Sequence, residues 1–239
     1  MVYNIAIIGS SGSIGSAFTG QLSELHSAAK IHAFSRNKLK PVADNVVQHT
    51  IDYNNEVSIE RAAFLASKKA PLDIVIVATG ILYENTIMPE KSLRELSPEK
   101  FLRLFEVNTI LPALIAKHFL PKLNKHKRSV FAALSARVGS ISDNRLGGWY
   151  SYRASKSGLN MIIKNAAIEI SRTNKQAVIV GLHPGTVNSN LSKPFQGNVQ
   201  DGKLFTPDYS VKRLLEVLDN LTPESSGRCF SWDGKEVEP

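Results

Sequence analysis

Ile5-Ala6-Ile7-Ile8-Gly9-Ser10-Ser11-Gly12-Ser13-Ile14-Gly15 is the stretch on which the fold turns. The apolar run Ile5–Ile8 has the length of a buried strand and stops at Gly9. Residues 14–25 then place Ile14, Phe18, Leu22 and Leu25 at helical spacing. A strand, a glycine-rich turn and a helix make an anion site. The first helical amides point at a phosphate, and glycine lets the backbone approach it closely.

The same alternation continues outward. Short apolar runs occupy residues 31–34, 46–51, 74–77, 130–134, 178–182 and 228–232. Helical patterns lie between them at 57–66, 99–119 and 211–221, the second interrupted near Pro112. The clearest helix holds Leu159, Ile162, Ile163, Ala166, Ala167 and Ile170 in one apolar stripe. Near-continuous apolar strands followed by helices predict an α/β fold. Its core is a doubly wound parallel sheet of about seven strands, with helices on both faces. No composition break or repeat divides residues 1–239, so a single domain is expected. The long polar connection Ser192–Phe205 is a candidate substrate loop, near residues 190–206.

Composition narrows the function classes. The 239 residues are 43% hydrophobic and 21% charged, and they contain one cysteine, Cys229. No intramolecular disulfide and no cysteine-rich metal site can form, so a reducing, cytoplasmic setting is expected. No His/Asp/Glu cluster has metal-ligand spacing, and no metal is expected. No apolar run reaches the roughly 18 residues of a membrane span. The formal charge is +8, part of it in Lys117, Lys122, Lys125, Lys127 and Arg128. Without interleaved stacking aromatics this run reads as a solvated helix end, not a nucleic-acid site.

Two further positions sharpen the chemistry. Arg36 follows the second strand in Phe34-Ser35-Arg36, with no acid at the strand end. In a dinucleotide site that position faces the adenosine ribose, and a guanidinium there suits a 2′-phosphate, favouring NADP(H). Tyr152 and Lys156 stand four apart, on one face of the best helix. A phenol with a pKa near ~10 is a poor acid–base group at pH 7. A neighbouring ammonium is expected to lower that value, so the pair can give a proton to a carbonyl oxygen. Tyr150 has Ala154, not lysine, at the matching position.

Taken together, Gly9–Gly15, Val107-Asn108, Tyr152-Arg-Ala-Ser-Lys156 and Pro184-Gly-Thr-Val-Asn-Ser189 resemble, in order and spacing, the short-chain dehydrogenase/reductase superfamily. Ala78-Thr-Gly80-Ile-Leu, Ser135-Ala-Arg-Val-Gly-Ser-Ile141 and Trp149-Tyr-Ser-Tyr152 resemble its C-factor-like branch. The resemblance covers essentially the whole chain and implies a Rossmann fold. It implies that Gly9, Ser11, Ser13, Ile14 and Gly15 line the pyrophosphate, with Ser35 and Arg36 at the ribose. Asp52 and Tyr53 match the adenine contact. Ala78, Thr79 and Gly80 match the turn beside the ribose. Pro184, Gly185, Val187 and Ser189 match the nicotinamide flank. Asn108 matches an asparagine that kinks its helix and holds a water in a proton relay. Tyr152 matches the general acid–base, and Lys156 matches the residue that binds the nicotinamide ribose.

The chain departs from that pattern in three places. Ser13 stands where the superfamily has a glycine. Val77-Ala78-Thr79-Gly80 replaces an Asn-Asn-Ala-Gly turn, with Thr79 expected to restore some hydrogen bonding. The usual Ser-Ser pair reads Ser135-Ala136. Ser135 is the favoured carbonyl-polarising hydroxyl. Ser140 is the alternative, or none is present, because a one-residue shift along a strand reverses the face.

His183, Cys229 and Trp232 read as packing residues. Trp149 walls the substrate pocket or packs. Phe195, Leu204 and Phe205 point to some apolar lining. The expected activity is NADP(H)-dependent hydride transfer between nicotinamide and a small-molecule carbonyl or alcohol. The alternative is an NADP-binding signalling or regulatory protein with little turnover. A homodimer or homotetramer is expected by the resemblance.

Overall fold

The structure, a computed structural model, describes residues 2–40, 42–84 and 87–239. The strands are β1 (Asn4–Ile8), β2 (Lys30–Ser35), β3 (Val46–Thr50), β4 (Ile74–Val77), β5 (Ser129–Leu134), β6 (Ala177–His183), β7 (Thr186–Val187), β8 (Leu204–Phe205), β9 (Cys229–Ser231) and β10 (Glu236–Val237). The helices are α1 (Ser13–Leu25), α2 (Glu56–Ser67), α3 (Pro98–Phe105), α4 (Leu111–Phe119), α5 (Tyr150–Ile170) and α6 (Pro207–Asn220).

Eight strands form one sheet in the order β10-β9-β6-β5-β4-β1-β2-β3. Seven are parallel, as the apolar runs predict, and the short β10 closes one edge antiparallel to β9. Alternation along each strand sends side chains to two separate cores. Ile5 and Ile7 of β1 join Phe18 and Leu22 of α1 and Leu214 and Leu218 of α6 on one face. Ala6 and Ile8 join Ile59 of α2, Ile115 of α4 and Leu159 of α5 on the other. Strands buried on both faces explain the near-continuous apolar runs.

The chain leaves β1 towards β2 and β3, then returns to build β4, β5 and β6 on the opposite side. This reversal opens a crevice at the carboxyl ends of β1 and β4, where ligands of doubly wound sheets bind.

Three local features differ from the sequence expectation. The break in the helical pattern at 99–119 is a π turn over Glu106–Ile110, and Pro112, which has no N–H to give the preceding turn, follows it in α4. The connection after Ser192 is partly ordered: a 3-10 segment spans Lys193–Asn198, and β8 pairs with β7. The basic run is tied down as well as solvated. Lys117 pairs with Glu56 at 2.6 Å and Lys127 with the buried Asp73 at 3.1 Å, and Arg128 donates to the Leu218 and Leu221 carbonyls at the end of α6.

Candidate active site

The turn after β1 is built for close approach. Gly9 has φ of 89°, and a Cβ at Gly15 would lie 2.2 Å from the Gly9 carbonyl oxygen. Only glycine fits at both positions. No side chain caps α1, so its first amides face the groove. Ser13 opens that helix with its side chain exposed, so the hydroxymethyl group meets no packing conflict.

Two cavities of about 470 and 340 Å³ meet over the crevice and share Ser11, Gly12, Arg36 and the turn Ala78–Ile81. The second also takes in Gly9, Asp52 and Tyr53. The first also takes in Ser13, Ile14, Ser135, Tyr152, Lys156, Pro184 and Ser189. Most of the sequence-selected residues therefore line one continuous groove. Arg36 is exposed in its wall and makes no ion pair among the described residues. The groove suits a dinucleotide: an uncapped helix start, a free guanidinium and a long, mixed polar and apolar floor.

Some expected contributors do not face it. Ser35 is buried and its hydroxyl donates to the Asn37 carbonyl at 2.5 Å. Val187 is buried, and Gly185, at φ of 76°, packs beneath the Phe205 ring. Thr79 does not replace the missing amide bracing: its buried Oγ1 has no partner among the described residues. Asn108, in the π turn, is spent on the protein itself. Its Oδ1 accepts from the Ile81 N–H at 2.9 Å, and its Nδ2 donates to the Ile81 carbonyl at 2.9 Å and to Ser155 Oγ at 3.1 Å. The Ser155 hydroxyl in turn donates to the Tyr152 carbonyl at 2.8 Å. Asn108 thus locks the turn after β4 to the helix that carries the tyrosine.

Tyr152 and Lys156 are both buried at the floor of the cleft. Burial pushes the Tyr152 phenol up to about 12. The lowering expected from Lys156 is absent, because its Nζ lies 5.9 Å from the ring centroid and donates to the Leu134 carbonyl at 2.9 Å. Burial instead brings Lys156 down to about 8. Ser135 continues β5 into the cleft, and its hydroxyl donates to Asn160 Oδ1 at 2.6 Å. Ser140 is buried outside the groove, where it accepts from the Asp143 N–H at 3.1 Å. Of the two candidate serines, Ser135 is the one in the cleft.

Above Tyr152 sits an aromatic wall. The Trp149 ring lies 6.2 Å from Tyr152 and 5.2 Å from Phe195, and Phe195 lies 5.8 Å from Tyr83. The Tyr83 hydroxyl donates to the Asn190 carbonyl at 2.6 Å, joining the two loops that flank the cleft. Asn190 and Leu191, in the expected substrate loop, and Leu82 line the cleft, as does Tyr83, which the sequence does not mark because it lies in a loop without periodicity. Arg153 faces away: it donates to the Gly147 and Gly148 carbonyls at 3.2 and 3.1 Å.

A family profile described as short chain dehydrogenase matches residues 3–199. The chain belongs to the short-chain dehydrogenase family. Among curated relatives of this chain is the 1-hydroxy-2-glutathionyl-2-methyl-3-butene dehydrogenase of Rhodococcus sp. strain AD45. It is 33% identical over 189 residues, 79% of this chain and 78% of the relative. The C-signal protein of Myxococcus xanthus is 36% identical over 135 residues, 56% of this chain and 76% of the relative. The NADPH-bound carbonyl reductase from chicken fatty liver superposes with a TM-score of 0.83 at 25% identity, covering all of this chain and 94% of that one. The carbonyl reductase Sniffer of D. melanogaster shares the fold, with a TM-score of 0.86 at 21% identity over both full chains. The chain is therefore one of a family of oxidoreductases and has a C-factor-like relative. Among the described residues no helix is long and apolar enough to cross a membrane, and no cluster of His, Cys, Asp and Glu could hold a metal ion.

Proposed function

We propose that this protein reduces a small-molecule carbonyl at the expense of NADPH, with Tyr152 as the proton donor. The observation that carries the reading is convergence. Tyr152, Lys156 and Ser135 line the groove that also holds the glycine turn and Arg36. NADPH supplies the hydride. The uncapped start of α1 would hold its pyrophosphate, and Arg36 its 2′-phosphate. Asp52 and Tyr53 would hold the adenine, and Pro184 and Ser189 the nicotinamide.

The phenol at about 12 stays protonated at neutral pH, the form that donates to a developing alkoxide. Lys156, one helical turn from Tyr152, would bind the nicotinamide ribose. Ser135 polarises the carbonyl when its hydroxyl turns from Asn160. The loop near residues 190–206 covers the substrate, and the aromatic wall excludes water. The test is Tyr152→Phe in an NADPH-consumption assay with benzil, a probe suggested by relatives named benzil reductase in Bacillus cereus and Bacillus subtilis. Loss of turnover with NADPH binding retained supports the reading; undiminished turnover overturns it.

A second reading is an NADP-binding signalling or regulatory protein with little turnover. It is favoured by the Ser135 hydroxyl being engaged with Asn160 and by Ala136 following it. It predicts that both NADPH binding and the cellular phenotype outlive Tyr152→Phe.

A further inference from the structure

The loop after β4 carries a carboxyl group that the proposed chemistry does not use. Glu90 is fully buried. Its Oε2 accepts from the Ser151 backbone N–H at 3.2 Å, across 61 residues of sequence. Its own backbone carbonyl accepts from the Trp149 N–H at 2.5 Å. The second carboxyl oxygen, Oε1, has no partner among the described residues.

Both donors belong to the start of α5. That helix lacks a cap of its own: Trp149 occupies the N-cap position, makes no side-chain cap bond and has φ of 50°. The left-handed region is unfavourable for a bulky residue, so it persists only where neighbours hold it. Serine, threonine, aspartate or asparagine at the N-cap would normally satisfy one first-turn amide. Here the acceptor arrives from another part of the chain. The approach is close: a Cβ at Gly148 would stand 3.4 Å from the Glu90 carbonyl oxygen.

We infer that Glu90 is a positioning residue for Tyr152. It caps α5 from the opposite wall of the cleft and sets the angle at which the tyrosine, the residue after Ser151, enters the site. The inference rests on Tyr152 being the proton donor. Ser151 is itself buried, so without the carboxyl its N–H has no acceptor and water reaches it only if the first turn opens. Opening that turn moves Tyr152, and a displacement of about 1 Å at a reacting group lowers rate by roughly 100-fold. The same loop contributes Leu82 and Tyr83 to the cleft, so one anchor holds the helix start and the loop of the opposite wall in register.

The experiment compares the full-length wild type with E90Q, which keeps an acceptor oxygen, and E90M, which removes it at similar volume. Three quantities are measured: NADPH affinity by fluorescence, kcat and KM for benzil reduction, and amide deuterium exchange over residues 150–156. For E90M the expected result is a kcat lowered about 30-fold or more, with NADPH Kd within about twofold and exchange at the start of α5 at least tenfold faster. E90Q is expected to restore both to within about threefold.

Should E90M fail to fold, E90L removes the acceptor with a different apolar shape, and the same loss is expected. Wild-type kcat and exchange in E90M, equal losses in E90Q and E90M, or faster exchange spread evenly through the sheet would each overturn the inference. If the wild type binds NADPH but reduces no benzil, the failure lies with benzil as a substrate or with the catalytic reading itself. Exchange at 150–156 then decides alone whether Glu90 holds the helix start.

Discussion

Burial, not the lysine, sets the protonation of Tyr152. With the phenol pushed up to about 12, carbonyl reduction should change little between pH 6 and 8, whereas alcohol oxidation, which needs the phenolate, should accelerate as pH rises. Replacing the tyrosine by phenylalanine removes the proton and is expected to lower kcat by about 10²–10⁴-fold in either direction. Steady-state rates across that pH range check both statements. The lysine has its own signature. A group whose pKa drops from 10.5 to about 8 on folding binds fewer protons folded than unfolded between those values. Stability therefore rises with pH across this window, and the penalty is fully present below it. At ~1.4 kcal/mol per unit the penalty is about 3 kcal/mol. Dinucleotide-free Lys156→Met should be more stable than wild type at pH 7, and the difference should shrink towards pH 10.5; urea denaturation at several pH values measures it. The Tyr152/Lys156 spacing was legible because four residues make one helix turn. The Ser135–Asn160 bond and the unpartnered Thr79 hydroxyl were not, since both depend on where a strand end meets a helix.

At the scale of elements, the β1 turn and α1 act as one unit. Gly15→Ala would place a methyl group 2.2 Å from the Gly9 carbonyl oxygen, so the helix must move off the turn. A loss of about 1–3 kcal/mol is expected from overpacking, together with weaker NADPH binding. Denaturant midpoints and a fluorescence titration read the two effects. The strand and helix order was legible because each apolar run ends at a turn residue. The π turn at Glu106–Ile110 was announced only by the resemblance, as a kink at Asn108, because the bonds from Asn108 to the Ile81 backbone are tertiary and leave no local pattern. The cap on α5 was hidden for the same reason. Glu90 lies 61 residues from the amide it serves, and no local pattern marks it.

Across the whole molecule, the parallel sheet and its two faces followed from hydrophobic alternation, whereas the antiparallel edge strand β10 is too short to announce itself. Self-association remains a surface question. Ile110, Met161 and Ile168 are exposed, at 52, 61 and 49%. We expect pairing through the helices that carry Asn108 and Tyr152, and Met161→Glu with Ile168→Glu should shift a dimer or tetramer to monomer in sedimentation velocity. The central claim, that this groove is an NADPH site serving Tyr152, is tested most directly by parallel fluorescence titrations of wild type and Arg36→Ala with NADPH and NADH. The account predicts NADPH at least tenfold tighter on wild type, about 1.4 kcal/mol, with the preference lost in the variant. Equal affinity for the two dinucleotides on wild type, or binding of neither, would contradict it.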